Sequence, residues 1–178
     1  MIRSQIAQAG RWPLHLLRAV LATLSCGLAA PGIAMPADQA RVDAEAMNAC
    51  VAAAPDMVTA STCIGTQQAA CVARLKQVYK DVGPVDGRGP CLGAERDYWD
   101  GQLNDGYTRL MAAEVGEGAD ALRQAERAWI AFRDSLCAYE ARSWASQPEG
   151  DMAGPACLTR ETALQSLRID GYLAERTR

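Results

Sequence analysis

Glu95-Arg-Asp-Tyr-Trp99-Asp100-Gly-Gln-Leu103-Asn104-Asp-Gly-Tyr107-Thr-Arg-Leu110 is the stretch on which the fold turns. Trp99, Leu103, Tyr107 and Leu110 recur three or four residues apart, the interval that puts side chains on one face of an α-helix. The spacing predicts a helix over 92–114. Gly101 and Gly106 fall inside it at a propensity cost of about 1 kcal/mol each, and are read as points of close helix approach. Past the short break Gly116-Glu117-Gly118, Leu122, Ala125, Trp129, Phe132 and Leu136 form the stripe of a further helix, over 119–145. So short a break makes the two helices antiparallel neighbours.

Working outward, no segment alternates as a strand does. Residues 38–54 are read as a helix ending before Pro55, and Ser61-Thr62 as the cap of a second helix running to about Lys80. Residues 83–90, Gly-Pro-Val-Asp-Gly-Arg-Gly-Pro, are dense in turn-formers and are read as a loop, as are 146–156. A last helix is expected from about Cys157 to Leu173. The fold class expected is all-α: a small disulfide-stapled bundle of about four to five helices built on the 92–114 and 119–145 hairpin. Abundant Ala, Leu, Arg, Glu and Gln agree with it.

The first residues read as an export signal. Arg3, Arg11 and Arg18 precede the apolar run Ala19–Ala30, and Gly32-Ile33-Ala34 supplies the small residues a signal peptidase reads. The cut is placed after Ala34, with Ala30 and Ala37 as alternatives, so that 1–34 is a signal peptide and 35–178 a single domain. The run is shorter than the roughly 20 residues of a membrane span. Cys26 as a lipid-modified cysteine is disfavoured by the poor fit of Thr23 and Leu24. The destination read from this is the periplasm or the exterior.

Removing 1–34 takes away three arginines and His15, the one histidine, leaving fifteen basic against twenty-one acidic residues and a net charge of −6. Such a balance argues against a nucleic-acid partner and favours encounter with a cationic one. Without histidine there is no Ser-His-Asp or Cys-His site, and no metal motif or cofactor loop is seen. Carboxylate chemistry is the remaining enzymatic option, with Glu95, Asp97, Asp100, Asp105, Glu126 and Asp134 as candidates. Asp97, Asp100 and Asp105 fall on or near the solvated side of their helix. The chain is read as a non-enzyme with neither cofactor nor metal.

Six cysteines remain, an even number that in an exported chain implies three disulfides. Cys63 and Cys71 lie eight residues apart, about 12 Å along an intact helix, whereas a disulfide tolerates at most about 7 Å between Cα atoms. Cys137 with Cys157 would close the loop between the last two helices. Cys50 with Cys63 would bridge the first hairpin and leave Cys71 with Cys91; Cys50–Cys71 with Cys63–Cys91 stays open.

The densest constellation joins E-x-x-x-W-D-x-x-L-N-x-x-Y, over Glu95–Tyr107, to A-W-I-x-F-R-D-x-x-C, over Ala128–Cys137. With Cys63-Ile64-Gly65 and Cys71 upstream and Cys157 ahead of Thr162-Ala163, the chain resembles the LprI-type lysozyme inhibitor family across roughly residues 63–170. The motif residues are Glu95, Trp99, Asp100, Leu103, Asn104, Tyr107, Trp129, Phe132, Arg133, Asp134 and Thr162. Trp99, Leu103, Tyr107, Trp129 and Phe132 are read as core. Arg133, set against Glu95 or Asp134, is read as a partly buried ion pair fixing helix register. Two positions depart from the family habit: Glu126 stands where glutamine is usual, and Gln165 where arginine is. If the two touch, they changed together.

The resemblance implies a helical envelope protein that inhibits lysozyme. The expected partner is lysozyme or a related cationic glycan hydrolase, whose cleft a loop would occlude. The loops considered are 83–90, with Arg88 reaching the enzyme's carboxylates, and 146–156; Asp97, Asp100 and Glu117 would steer the encounter. The alternative is an envelope interaction or stress protein of the same fold with no hydrolase target. The sequence leaves the oligomeric state open.

Overall fold

The computed structural model describes residues 39–80, 84–148 and 150–176, all within one compact unit, Met35–Arg178. The signal peptide read at 1–34, with Cys26, lies outside the described residues. The architecture is all-α, with six helices and no strand among the described residues: α1 (Ala44–Ala53), α2 (Met57–Ala60), α3 (Thr66–Val78), α4 (Pro84–Ala113), α5 (Glu117–Trp144) and α6 (Ala153–Arg176). Short 3-10 turns at Ser61–Cys63 and Gly150–Met152 lead into α3 and α6. No described helix is long and apolar enough to cross a membrane.

The boundaries follow from local chemistry, and several differ from the sequence reading. The first helix begins at Ala44, not 38, because the Asp43 carboxylate accepts the Ala46 N–H at 3.0 Å and caps it there. Ser61 and Thr62 do not cap α3; Ser61 instead closes the C-terminal end of α2. Their hydroxyls donate back to the carbonyls of Val58 and Thr59, at 2.6 and 2.7 Å. The long second helix is instead broken at Gly65, whose φ of +86° starts α3 one residue later.

The stretch read as a loop at 83–90 is helix from Pro84 onward. Proline is at home in a first turn, where its missing N–H has no partner to lose. Pro90 lies deeper in α4, where it removes one backbone bond. The residues just beyond it, Cys91, Leu92 and Glu95, are buried, and Cys91 is bridged to Cys71. Tertiary contact overrides the propensity of the glycines and prolines here. At the other end, the stretch read as loop to 156 closes by Met152, and α6 starts at Ala153 with Gly154 and Pro155 in its first turn. The tightness of that connection rests on Gly150, where an added Cβ would overlap the Trp144 carbonyl.

The centre of the bundle is α6, which packs against both α4 and α5 and against the α2 region. Cys157, Thr159, Thr162, Ala163, Gln165, Ser166, Leu167 and Ile169 are all buried. Small side chains let its neighbours approach closely. At Gly106 a Cβ would stand 3.0 Å from Ile169 Cγ2, so this glycine does mark a close crossing; at Gly101 nothing lies within 4 Å. Met47, Cys63, Trp99, Ala163 and Leu167 form one apolar cluster. Leu103, Leu110 and Ile169 form another, with Leu122, Trp129 and Leu173 against it. Three disulfides span the fold: Cys50–Cys63, Cys71–Cys91 and Cys137–Cys157.

On α5 the inward face differs from the stripe read in sequence. Ala119, Leu122, Glu126, Trp129, Arg133, Leu136 and Cys137 turn inward, whereas Phe132 is 56% exposed. From Trp129 the buried face advances by four residues to Arg133, not by three to Phe132.

Candidate functional site

Two constellations gather the motif residues, and they do different things. The first is a buried hub around Glu95. Its side chain is wholly enclosed, and its carboxylate oxygens accept the Gly65 N–H at 2.6 Å, the Gln68 N–H at 2.9 Å and the Trp99 indole N–H at 3.3 Å. Gly65 and Gln68 bracket the first turn of α3, where backbone N–H groups have no helical partner and the helix dipole is positive. Glu95 therefore caps α3 from another helix. The left-handed backbone at Gly65 aims that N–H, so Cys63-Ile64-Gly65 and Glu95-x-x-x-Trp99 are halves of one device. With its oxygens committed and no water access, Glu95 has no cleft in which to act on a substrate.

The second constellation is an open groove between α4 and α5, of about 410 Å³. Asp100, Leu103, Asn104 and Tyr107 supply the α4 wall. Trp129, Ile130 and Arg133 face them from α5, with Arg123, Glu126 and Arg127 along the same side. Most of the two sequence runs thus converge here. Trp99 does not; it is core, in edge contact with Tyr98 at 5.1 Å between ring centroids. Neither does Phe132, which points away to solvent.

Charge in the groove is locally organised. The Arg133 guanidinium lies over the Trp129 ring, 4.9 Å from its centroid, a cation–π contact. It also meets Asp134 at 2.9 Å. Asp134 is the adjacent residue on the same helix, so this pair fixes no helix register, and Glu95 belongs to the other hub. Asn104 donates its amide to the Asp100 carbonyl and carboxylate, at 2.8 and 2.9 Å, which holds the Asp100 side chain along the rim.

Behind the groove, Gln165 Nε2 donates to Glu126 Oε1 at 2.5 Å, and Arg168 donates to the Gln165 amide oxygen. The two positions that depart from the family habit therefore touch each other, linking α5 to α6. Arg160 adds a second link by reaching Glu140 at 2.7 Å. Thr162 is buried in α6, and Thr159 ties α6 to α4 by donating to the Leu92 carbonyl at 3.2 Å.

The remaining residues singled out in sequence are dispersed. Asp97 is exposed and pairs with its neighbour Arg96 at 2.8 Å; Glu117 is exposed in the first turn of α5. Arg88 sits on helix α4, not on a loop, and lines a shallow groove against α3 with Gln68, Val72 and Lys76. That placement removes the reading of 83–90 as an occluding loop from which Arg88 reaches the enzyme's carboxylates. No group of three or more His, Cys, Asp or Glu among the described residues is placed to hold a metal.

The residues around the groove also carry the relationship to known proteins. Residues 87–166 match the family model described as lysozyme inhibitor LprI. This stretch, somewhat under half of the chain, is similar to an LprI domain. It runs from the start of α4 through the middle of α6, so it takes in both walls of the groove, the Glu95 carboxylate and the Glu126–Gln165 link. The α3 cap with Cys63-Ile64-Gly65 precedes it. No curated protein and no solved structure matches the chain. The family description names a lysozyme inhibitor, and the three disulfides among the described residues suit oxidising surroundings outside the cytoplasm.

Proposed function

We propose that the chain is an exported inhibitor of a cationic, peptidoglycan-cleaving hydrolase of the lysozyme kind, acting by binding and without chemistry of its own. The observation that carries this reading is the LprI match over the helices that build the groove. Residues 1–34 would be removed on export and 35–178 would work as a single domain in the periplasm or outside the cell.

The contact surface proposed is the groove with its α4 rim. Asp97, Asp100 and Asp105 are all exposed on that helix, and a mature net charge of −6 would accelerate encounter with a basic enzyme. The disulfides keep the helices in place, so little conformational freedom is lost on docking. Tyr107 and Trp129, half-buried in the groove walls, would supply apolar contact once water is expelled.

A lytic assay tests the reading. The oxidised protein is titrated against chicken-type, invertebrate-type and goose-type lysozymes at low and high salt. Inhibition of at least one of them, weakening as ionic strength rises and diminished by Asp97→Lys with Asp100→Lys, is the expected result. Absence of inhibition at micromolar concentrations would leave an envelope protein of LprI fold with no hydrolase target.

A further inference from the structure

The groove uses one side of α5; the opposite side is bare. Ala121, Ala125, Ala128, Phe132, Ser135, Tyr139 and Ser143 are all exposed. Their spacings of three, four and seven place them on a single stripe, about 33 Å long at 1.5 Å per residue. None of them is charged. Phe132 and Tyr139 are 56% and 64% exposed, large apolar surface that a helix ordinarily turns inward.

The order of side chains along this stripe is self-complementary. Inverted about position 130, Tyr139 falls opposite Ala121, Phe132 opposite Ala128 and Ser135 opposite Ala125, so that each large ring meets an alanine. The charges that bound the stripe follow the same inversion. Exposed Glu117 and Asp120 stand at its N-terminal end and exposed Arg142 at its C-terminal end. An antiparallel second copy would therefore set Glu117 beside the other copy's Arg142, twice by symmetry. A parallel copy would set like charges together.

We propose that this face of α5 binds the same face of a second copy of the chain, antiparallel, about a two-fold axis near residue 130. The interface is isologous, as closed dimers require. One helix pair of this length covers less than the roughly 1,200–2,000 Å² of a tight complex, so the association is reversible, with dissociation in the micromolar range. The inference is independent of the inhibitory reading, because the groove side of α5 stays open in the pair.

Sedimentation velocity of the oxidised protein, from about 1 to 200 µM, tests it. A monomer–dimer equilibrium is expected in that range. Glu117→Arg weakens it about tenfold or more by facing Arg142 of the second copy, and adding Arg142→Glu restores it. Phe132→Glu abolishes it while leaving the helical circular dichroism unchanged, since more than half of the residue faces solvent. Monomer alone at 200 µM, a dimer indifferent to Phe132→Glu, or a charge swap without rescue would each overturn the proposal. Occupation of the face by the hydrolase instead would show as Phe132→Glu abolishing inhibition while the protein sediments as a monomer throughout, and that too overturns it.

Discussion

Replacing Glu95 by glutamine changes one atom in the best-defined polar site of the molecule, and the size of the response can be worked from its contacts. The carboxylate accepts three hydrogen bonds, two of them from backbone N–H groups at the start of α3. A glutamine amide keeps one acceptor and presents an NH₂ group where a second backbone N–H points. That donor is left buried and unsatisfied, a loss of about 1.5–3 kcal/mol for a bond to a charged group. The positive end of α3 also loses its negative neighbour, about another 0.3–1 kcal/mol. Against this, the unfolded glutamine no longer gives up the hydration that a buried carboxylate forfeits on folding. The bonding loss outweighs that relief, because the amide still has to be desolvated, and the net destabilisation expected is about 2–4 kcal/mol. In a domain of this size that lowers Tm by about 5–12 °C. Thermal and urea unfolding of the oxidised protein measure it. A Glu95→Gln protein within about 0.5 kcal/mol of wild type would refute the cap, and with it the assignment of Glu95 to architecture.

Three further outcomes follow from the same geometry. Gly65→Ala must hold a side chain at φ +86° and should cost about 1–2 kcal/mol in urea unfolding, although no atom obstructs the new Cβ. Gly106→Ala puts a methyl 3.0 Å from Ile169 Cγ2; the packed Ile169 side chain must give by a few tenths of an ångström, for about 1–3 kcal/mol in the same measurement. Asp170 sits at that crossing with its carboxyl raised above the usual carboxylate range by burial, opposed by Arg109 and reinforced by Asp105. A raised folded-state pKa means that its contribution is fully present below the unfolded pKa and is lost as pH rises through the folded one. Asp170→Asn should therefore flatten this part of the stability–pH curve from about pH 4 upward, and a denaturation series started there reads it.

Trp99, Leu103 and Leu110 could be read as core from sequence because they are large, apolar and helically spaced, and they are buried. Their helix and the next one stood out for the same reason. The start of α4 did not, since Gly and Pro dominate local propensity, and only the buried residues beyond Pro90 show why a helix is retained. The weight of α6 was also hidden. Its buried face is rich in Thr, Ser, Gln and Ala, which hydrophobic periodicity passes over and which serve close packing. The alternation of three and four along α5 misled in a different way. Phe132 and Arg133 compete for the inward position after Trp129, and size favoured the wrong one. The arginine goes in because its guanidinium covers the indole face, a contact with no signature in hydrophobic spacing.

The Glu95 hub and the groove together separate what the motif does for the fold from what it offers to a partner. Glu95, Trp99, Leu103 and Thr162 are enclosed, so changing them acts first on stability, and any loss of binding they cause must be read through that. Asp100, Asn104 and Phe132 are exposed and outside the buried core, so a binding defect in a variant that unfolds like the wild type is read at the surface. Asp100 and Phe132 lie on opposite sides of the α4–α5 pair. A target that takes the groove should respond to the first and ignore the second, whereas self-association through α5 should do the reverse. The two residues therefore divide the surface into faces whose functions can be assayed separately in one folded scaffold.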